Sequence, residues 1–278
     1  MRTLVVDGTV RDMPLLRFLA RAYPLLPRWR IREAVQDRDI RVNGRRATGE
    51  TAVSRGDEIL LYLPDACFRE EIPVLYRKNG ILAVEKPPGL PVDADDLGIA
   101  VDTALNRARR IEPSAKLAHR LDTGTGGVLL FSLNAAAEAE LWDAFARHRL
   151  KKTYRALVRG IPDEPRGTLV CSLIKDAKTA RVRTAGSGES GAREAQLEYS
   201  LVEPRGDRSL LSIDLKTGRT HQIRVQLAAL GHPLLGDDKY GDRAFNRRHP
   251  KQKYPALWCC EIALEDGTTI GSQEKFYD

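Results

Sequence analysis

The sequence predicts an α+β protein in two unequal parts. Three observations carry that reading: many short runs of alternating apolar residues, two Asn-Gly pairs set between such runs, and only a few stretches with helical spacing. A chain of 278 residues with 42% hydrophobic content is long enough for one large or two modest domains, each with its own core.

Residues 12 to 64 read as one small unit. Asp12 is placed to cap a helix carrying Leu15, Leu16 and Leu19 on one face, with Pro24 ending it. A second helix carries Ile31, Ala34 and Val35. Ile40 and Val42 then alternate as in a strand, Asn43-Gly44 marks a tight turn, and Gly56-Asp57 leads into the strand EILLYLP. Between Pro27 and Arg46 stand seven arginines (Arg28, Arg30, Arg32, Arg38, Arg41, Arg45 and Arg46) against three acids, so this unit presents a strongly basic face. Guanidinium groups fork onto phosphates, and such a face suits a polyanion as well as it suits water. The succession of a helix pair, Val42-Asn43-Gly44 and Gly56-Asp57-Glu58-Ile59 resembles the S-four-like RNA-binding module, which implies RNA as the partner of these arginines.

Residues 65 to 71 have mixed charge and no period, and read as a linker between a module at 1–64 and a larger domain at 72–278. VLYRKNGILAVEKP is a hairpin around Asn79-Gly80. One helix follows Asn134, a good cap, with Glu138 and Glu140 early and Arg147 to Arg149 late, as the helix dipole favours. Another is expected from Thr220, with Ile223, Leu227 and Leu230 as its buried stripe and Gly231 at its end. TAGSGESGARE, 184 to 194, reads as a mobile loop.

The balance of 45 Lys and Arg over 38 Asp and Glu leaves a net charge of +7, suited to an anionic partner. No run of about 18 apolar residues exists to span a membrane, and the N-terminus has no secretory pattern. Cys67, Cys171, Cys259 and Cys260 suit neither a zinc site nor a disulfide framework, so a reducing cytoplasm is the expected compartment. The adjacent Cys259 and Cys260 sit in an apolar run and read as strand residues. A monomer is the default expectation.

The sharpest local feature is AHRLDTGTGGVLLFSLN, residues 118 to 134: a polar cluster, then glycines, then a strongly apolar strand. Asp122 stands just before that strand, and Gly124, Gly126 and Gly127 are expected to let a large substrate approach the backbone. Taken alone, the segment suits a catalytic carboxylate, an ordinary turn, or a phosphate cradle that lacks the lysine and spacing of a P-loop.

His119-Arg120-Leu121-Asp122 with Thr125-x-Gly127 is similar to the signature of the RluA family of pseudouridine synthases. The run from Lys151 to Gly160, with Tyr154 inside it, resembles the family's K-x-Y-x-A-x-V-x-G strand. Gly218-Arg219-Thr220-His221-Gln222-Ile223-Arg224 resembles its G-R-x-H-Q-I/L-R motif, and Lys86-Pro87-Pro88-Gly89-Leu90 its K-P-x-G-L. Gly231-His232-Pro233, Leu235-Gly236-Asp237 and Tyr240-Gly241 follow in order. Gly126 departs from the pattern, since many members carry Ser there, which puts the stiffness of the loop in question.

The resemblance implies a mixed, largely antiparallel sheet with a central cleft, and an isomerase that releases uracil from its sugar, turns it and rejoins it through carbon 5. It implies Asp122 as the carboxylate that starts the reaction, by attack on the sugar or by removing the 2′ proton. Arg224 is its partner, which would favour the ionised carboxylate and aim its oxygens. Tyr154 is the residue that stacks on the base, and Ile223 an apolar wall. His119, Arg120, Arg219 and His221 position RNA or brace the loops. The target uridine has to be flipped out of folded RNA, from ribosomal or transfer RNA, and no metal or organic cofactor is expected. Two other readings compete: an RNA-binding or ribosome-assembly protein without turnover, which has no need of Asp122, Tyr154 and Arg224 together, and a cofactor-dependent methyltransferase, for which the G-x-G-x-x-G fingerprint is missing.

Overall fold

The computed structural model describes residues 1–68, 71–94, 98–176, 179, 181–186 and 188–276. The chain forms two contact units. One comprises Met1–Ile72 and Gly89–Pro113, the other Pro73–Pro88 and Ser114–Asp278. The expected linker falls partly outside the described residues, at 69 and 70, as does Ser187 of the expected mobile loop.

In the first unit, strands β1 (Arg2–Val5), β3 (Ile40–Val42), β4 (Arg45–Arg46) and β6 (Glu58–Leu61) form a sheet in the order β1-β6-β3-β4. The short strands β2 (Met13–Pro14) and β5 (Ala52–Val53) pair separately. Helices α1 (Leu15–Ala22) and α2 (Arg28–Gln36) bury Leu15, Phe18, Leu19 and Ile31 against Ile40, Ile59 and Leu61. Asn43 and Gly44 both have positive φ, 51° and 76°, as the tight β3–β4 turn requires. Asp12 does not cap α1. Pro14 holds that position, and Asp12 turns left-handed at φ 47°, donating its N–H to Ser54 Oγ.

Residues 89–113 belong to this unit by packing. Ile99 joins its core, and the N–H groups of Val101 and Asp102 both donate to Ala22 O. Asp102 also takes a bidentate pair from Arg107, at 2.7 and 2.8 Å, on helix α3 (Ala104–Ile111).

The second unit is built on eleven strands: β7 (Val74–Lys78), β8 (Ile81–Lys86), β9 (Lys116–Leu117), β10 (Gly126–Ser132), β11 (Lys151–Arg159), β12 (Arg166–Lys175), β13 (Val182–Thr184), β14 (Arg193–Arg205), β15 (Arg208–Leu215), β16 (Leu257–Ala263) and β17 (Thr269–Gly271). The main path runs β13-β12-β14-β15-β11-β16-β10-β8-β7, and every pairing is antiparallel except β10 with β16. The expected mixed, largely antiparallel α+β class is therefore the one found. Asn79 and Gly80 turn β7 into β8 at φ 53° and 72°. Asn134 caps helix α4 (Ala135–Ala146) by accepting the Ala137 N–H. Helix α6 (Arg243–Arg248) is capped by Asp242 in the same way.

Every residue of β10 is buried, as suits a strand covered on both faces. The glycines that precede and open it have a different use from the one expected. A Cβ at Gly126 would stand 2.3 Å from the Trp258 ring, and one at Gly127 would stand 2.1 Å from Cys259 O, with φ already at 108°. Gly124 meets Pro255 in the same way. These positions let β16 and its approach come close, where a substrate had been expected. The Trp258 indole, buried at the head of β16, fills the volume that a serine at 126 would claim, which accounts for the departure there.

Helix α5 (Gln222–Ala229) starts two residues later than the expected Thr220, because His221 adopts φ 53° immediately before it. Its first two turns are buried all round, while Leu230, expected in the apolar stripe, is 36% exposed. The polar members of those turns carry their own partners. Gln222 donates to Gln196 O, Gln226 to Leu169 O and Ala195 O, and Arg224 pairs with acids, so the helix tolerates burial on faces that its sequence marks as wet.

Gly126→Ser should destabilise the protein by about 1–3 kcal/mol through overpacking against Trp258. Urea unfolding followed by tryptophan fluorescence reads this, and Gly126→Ser with Trp258→Leu should recover part of the loss. An unchanged midpoint in the single variant would show that the indole has room to move.

Candidate active site

Asp122 begins a turn closed by the Thr125 N–H donating to Asp122 O at 3.0 Å. Beneath the turn lies Lys86, the last residue of β8. Its ammonium donates to Thr123 O at 3.0 Å and Pro87 O at 3.1 Å, and the side chain is wholly buried. Burial pushes the Lys86 pKa down to about 7, against the opposing pull of the Asp122 charge. The turn carrying the carboxylate is thus pinned from below.

Arg224 reaches it from α5. Nη1 donates to Asp122 Oδ2 at 3.1 Å, while Nε and Nη2 fork onto Asp237 at 2.8 and 2.9 Å. Asp237 is fully buried and also accepts the N–H groups of Lys239 and Tyr240 through Oδ1. Burial works against the Arg224 cation, but the bonds and charge of Asp237, and then of Asp122, outweigh it and raise its pKa. Burial likewise works against the Asp237 anion, and the guanidinium and the two backbone donors hold its pKa below the usual value. Two carboxylates therefore compensate a cation in the first turn of a helix, where the dipole opposes it. The sequence had offered one. Asp237 stood within a quoted motif, yet nothing in its spacing marked it as a second acid for Arg224.

Both donors that face Asp122 converge on one oxygen. Besides Arg224, His221 Nε2 lies 4.0 Å from Oδ2, and among the described residues none hydrogen-bonds Oδ1. The Asp122 side chain is 24% exposed, so the carboxylate is not sealed off from an incoming ligand.

Tyr154 enters from the sheet. It pairs with Cys259, and Cys259 pairs in turn with Gly127, so one row crosses β11, β16 and β10. A register shift between Thr153 and Tyr154 sets the local twist of β11. Tyr154 is buried, with Cys259 as its cross-strand neighbour. Burial, then Cys259, raises its pKa well above the ordinary phenol value, and burial pushes the thiol up to about 12. Both groups stay protonated at neutral pH. The Asp122 charge is felt by Tyr154, Lys86, His221 and Arg224 alike, which places these groups around one carboxylate.

The remaining expected residues divide. Ile223 is buried beside Arg224 on α5. His119 is braced into the domain: Nε2 accepts the Leu130 N–H at 3.1 Å, its ring lies 4.9 Å from Phe145, and burial, then Lys152, pushes its pKa down to about 3. Through this bond it bears on the β10 backbone. Arg219 is also a brace, donating Nε to Glu194 O at 2.9 Å. Arg120 is exposed. In the first unit Arg28, Arg32, Arg38, Arg41, Arg45 and Arg46 are exposed, while Arg30 is half-buried and pairs with Glu33. Lys86 and Tyr240 are site residues whose motifs were quoted without any role being assigned to them.

Comparison with known proteins identifies the family. The RNA pseudouridylate synthase family matches residues 80–229, and the S4 domain matches residues 13–59. A solved human RNA pseudouridylate synthase domain containing protein (number 1) superposes with a TM-score of 0.62 at 28% identity, covering 74% of this chain and 84% of that one. Ribosomal large subunit pseudouridine synthase C of Rickettsia bellii is 30% identical over 269 residues, 89% of this chain and 88% of its own. The dual-specificity RNA pseudouridine synthase RluA of Salmonella typhi is 40% identical over 169 residues, 60% of this chain and 76% of its own. Fold and site thus define an RNA-modifying isomerase. The chain belongs to the RNA pseudouridylate synthase family and carries an S4 domain at its N-terminal side.

Two consequences are measurable. Asp237→Asn leaves the Arg224 cation buried with half its compensation and should cost about 3–5 kcal/mol in chemical denaturation, together with activity. Stability unchanged by this substitution would show that Asp122 alone suffices. For Lys86, the folded-state pKa of about 7 lies below the ordinary 10.5, so the folded chain holds fewer protons than the unfolded chain between those values. Stability therefore rises with pH through that window and is lost as pH falls towards 7. The midpoint difference between wild type and Lys86→Met should shift in favour of wild type from pH 7 to pH 10, and a difference flat across that range would remove Lys86 as its source.

Proposed function

We propose that this enzyme converts particular uridines of structured ribosomal or transfer RNA to pseudouridine, with Asp122 as the carboxylate that starts the reaction. The observation that carries the assignment is the asymmetry at Asp122: Oδ2 is held by Arg224 at 3.1 Å, and Oδ1 has no partner among the described residues. A carboxylate acts as nucleophile or base through a free oxygen, and the guanidinium on Oδ2 fixes the group so that the second oxygen is left for the substrate. Tyr154 offers its ring to the flipped base, and Ile223 supplies the apolar wall. Arg120 and His221 contact the RNA, with His119 and Arg219 holding the loops that carry them. The names of the relatives support ribosomal RNA as one substrate class, without fixing the nucleotide.

We assign RNA gripping to residues 1–64, with 65–71 as linker, and chemistry to residues 72–278. Arg41, Arg45 and Arg46 lie on and beside the β3–β4 turn, and Arg28 and Arg32 on α2, all exposed to a polyanion. A monomer is the default assembly in this reading. Four free thiols suit a reducing cytoplasm. None of the described helices is long and apolar enough to cross a membrane.

Tritium release from RNA labelled at carbon 5 of uridine tests the central assignment. Wild type should release it, and Asp122→Asn should lose at least about 100-fold in rate. Release by Asp122→Asn at the wild-type rate would remove Asp122 from the chemistry, and none from wild type with ribosomal and transfer RNA both offered would favour a binding-only protein. For the basic face, deleting residues 1–64 would strip Ile99 of its packing, so substitution is the cleaner test. Arg41→Ala, Arg45→Ala and Arg46→Ala together should reduce the slope of log affinity against log salt by about 2–3. An unchanged slope would take the turn out of the RNA contact.

A further inference from the structure

Tyr240 has no part in the chemistry described above, yet it closes a ring of polar contacts around the carboxylate. Its backbone N–H donates to Asp237 Oδ1 at 3.0 Å, Asp237 holds Arg224, and Arg224 holds Asp122. Its side chain goes round the other way. The hydroxyl lies 2.8 Å from His221 Nδ1, and His221 Nε2 faces Asp122 Oδ2 at 4.0 Å. A third contact fixes the direction of the protons. The Val182 N–H, at the start of β13, donates to the same hydroxyl oxygen at 2.8 Å.

An oxygen accepting from Val182 on one side directs its own proton to the other. Donation of the Tyr240 O–H to His221 Nδ1 is the arrangement that uses the hydroxyl proton as well as the lone pair taken by Val182, and a neutral imidazole that accepts at Nδ1 carries its proton at Nε2. That proton faces Asp122. The opposite tautomer would turn a lone pair towards the carboxylate. We infer that Tyr240 is a positioning residue of the isomerisation, fixing His221 as the Nε2–H tautomer so that Asp122 Oδ2 meets a neutral donor on one side and the Arg224 cation on the other. The inference rests on Asp122 being the reacting carboxylate.

The surroundings favour a neutral ring. Arg224 and Lys239 face His221 with like charge, Asp122 and Asp237 with opposite charge, and burial is the largest effect, holding its pKa below the ordinary value. Tyr240 itself is flanked by the cations of Arg224, Arg181 and Lys239, at 5.1, 5.6 and 5.8 Å from its ring centre, and burial, its largest influence, keeps the phenol protonated. His221 also sits at φ 53°, a left-handed conformation uncommon for non-glycine residues but one that His, Asn and Asp adopt more readily than most.

The test has two arms. In the first, nitrogen-15 spectra of the imidazole rings, recorded without RNA, should place the His221 proton on Nε2 in wild type and show mixed tautomers in Tyr240→Phe. A wild-type proton on Nδ1 would overturn the inference, as would an unchanged tautomer in Tyr240→Phe. This arm needs no substrate, so its failure is distinct from failure of the isomerase assignment, which tritium release by wild type reports. In the second arm, Tyr240→Phe should lower kcat about 10- to 100-fold with little change in KM, the pattern of a lost orienting contact. His221→Asn keeps a residue that tolerates the left-handed backbone, and the double variant should be no slower than His221→Asn alone. Multiplying losses would show Tyr240 acting by some route other than His221. Unfolding midpoints measured alongside separate a folding defect from a slowed reaction.

Discussion

Arg224 sits where a cation is least welcome: inside the protein, in the first turn of a helix whose backbone already presents positive partial charge. Its presence there is stable only because Asp237 and Asp122 stand on two sides of it. Much of the larger unit's local architecture serves that arrangement. The Asp237 loop is closed around its carboxylate by the backbone of Lys239 and Tyr240, and the Asp122 turn is pinned by Lys86. Because a buried ion pair gains little over an apolar core, its retention here is better explained by reactivity than by stability.

The same economy governs the other ionisable groups near Asp122. Cations crowd one anion, and burial discharges several of the groups around it. Lys86 and His221 are shifted towards their neutral forms, and Tyr154 and Cys259 keep their protons. What is left is one persistent guanidinium shared between the Asp237 and Asp122 carboxylates. A low-dielectric surrounding strengthens the pair and keeps competing charges out.

Much of this was legible in the sequence where short-range chemistry decides. The Asn43-Gly44 and Asn79-Gly80 turns, the Asn134 cap and the strand identity of Cys259 and Cys260 follow from residue types that prefer one backbone conformation. Asp122, Tyr154 and Arg224 were found through ordered motifs, and the fold brings them to one place. What stayed hidden is long-range. The glycines at 124, 126 and 127 face Pro255, Trp258 and Cys259, partners more than a hundred residues away. The second acid of Arg224, the enclosure of α5 and the left-handed His221 each depend on neighbours that no window around them contains. Asp12 looked like a cap by its type alone, and Pro14 took the position by its fixed φ.

The place of β16 in the sheet has a temporal consequence. Residues 257–263 lie between β10 and β11, strands that are complete by Ser132 and Arg159. During synthesis those two strands leave the ribosome with nothing between them. Gly126 then faces an empty volume in place of an indole, and Tyr154 lacks Cys259 as its cross-strand neighbour. Two apolar strand edges stay open for the time needed to add the intervening chain, the condition under which nascent sheets invite wrong pairing or chaperone attention. The sheet row that joins Tyr154 to Gly127 runs through Cys259, so it is complete only once β16 has been made.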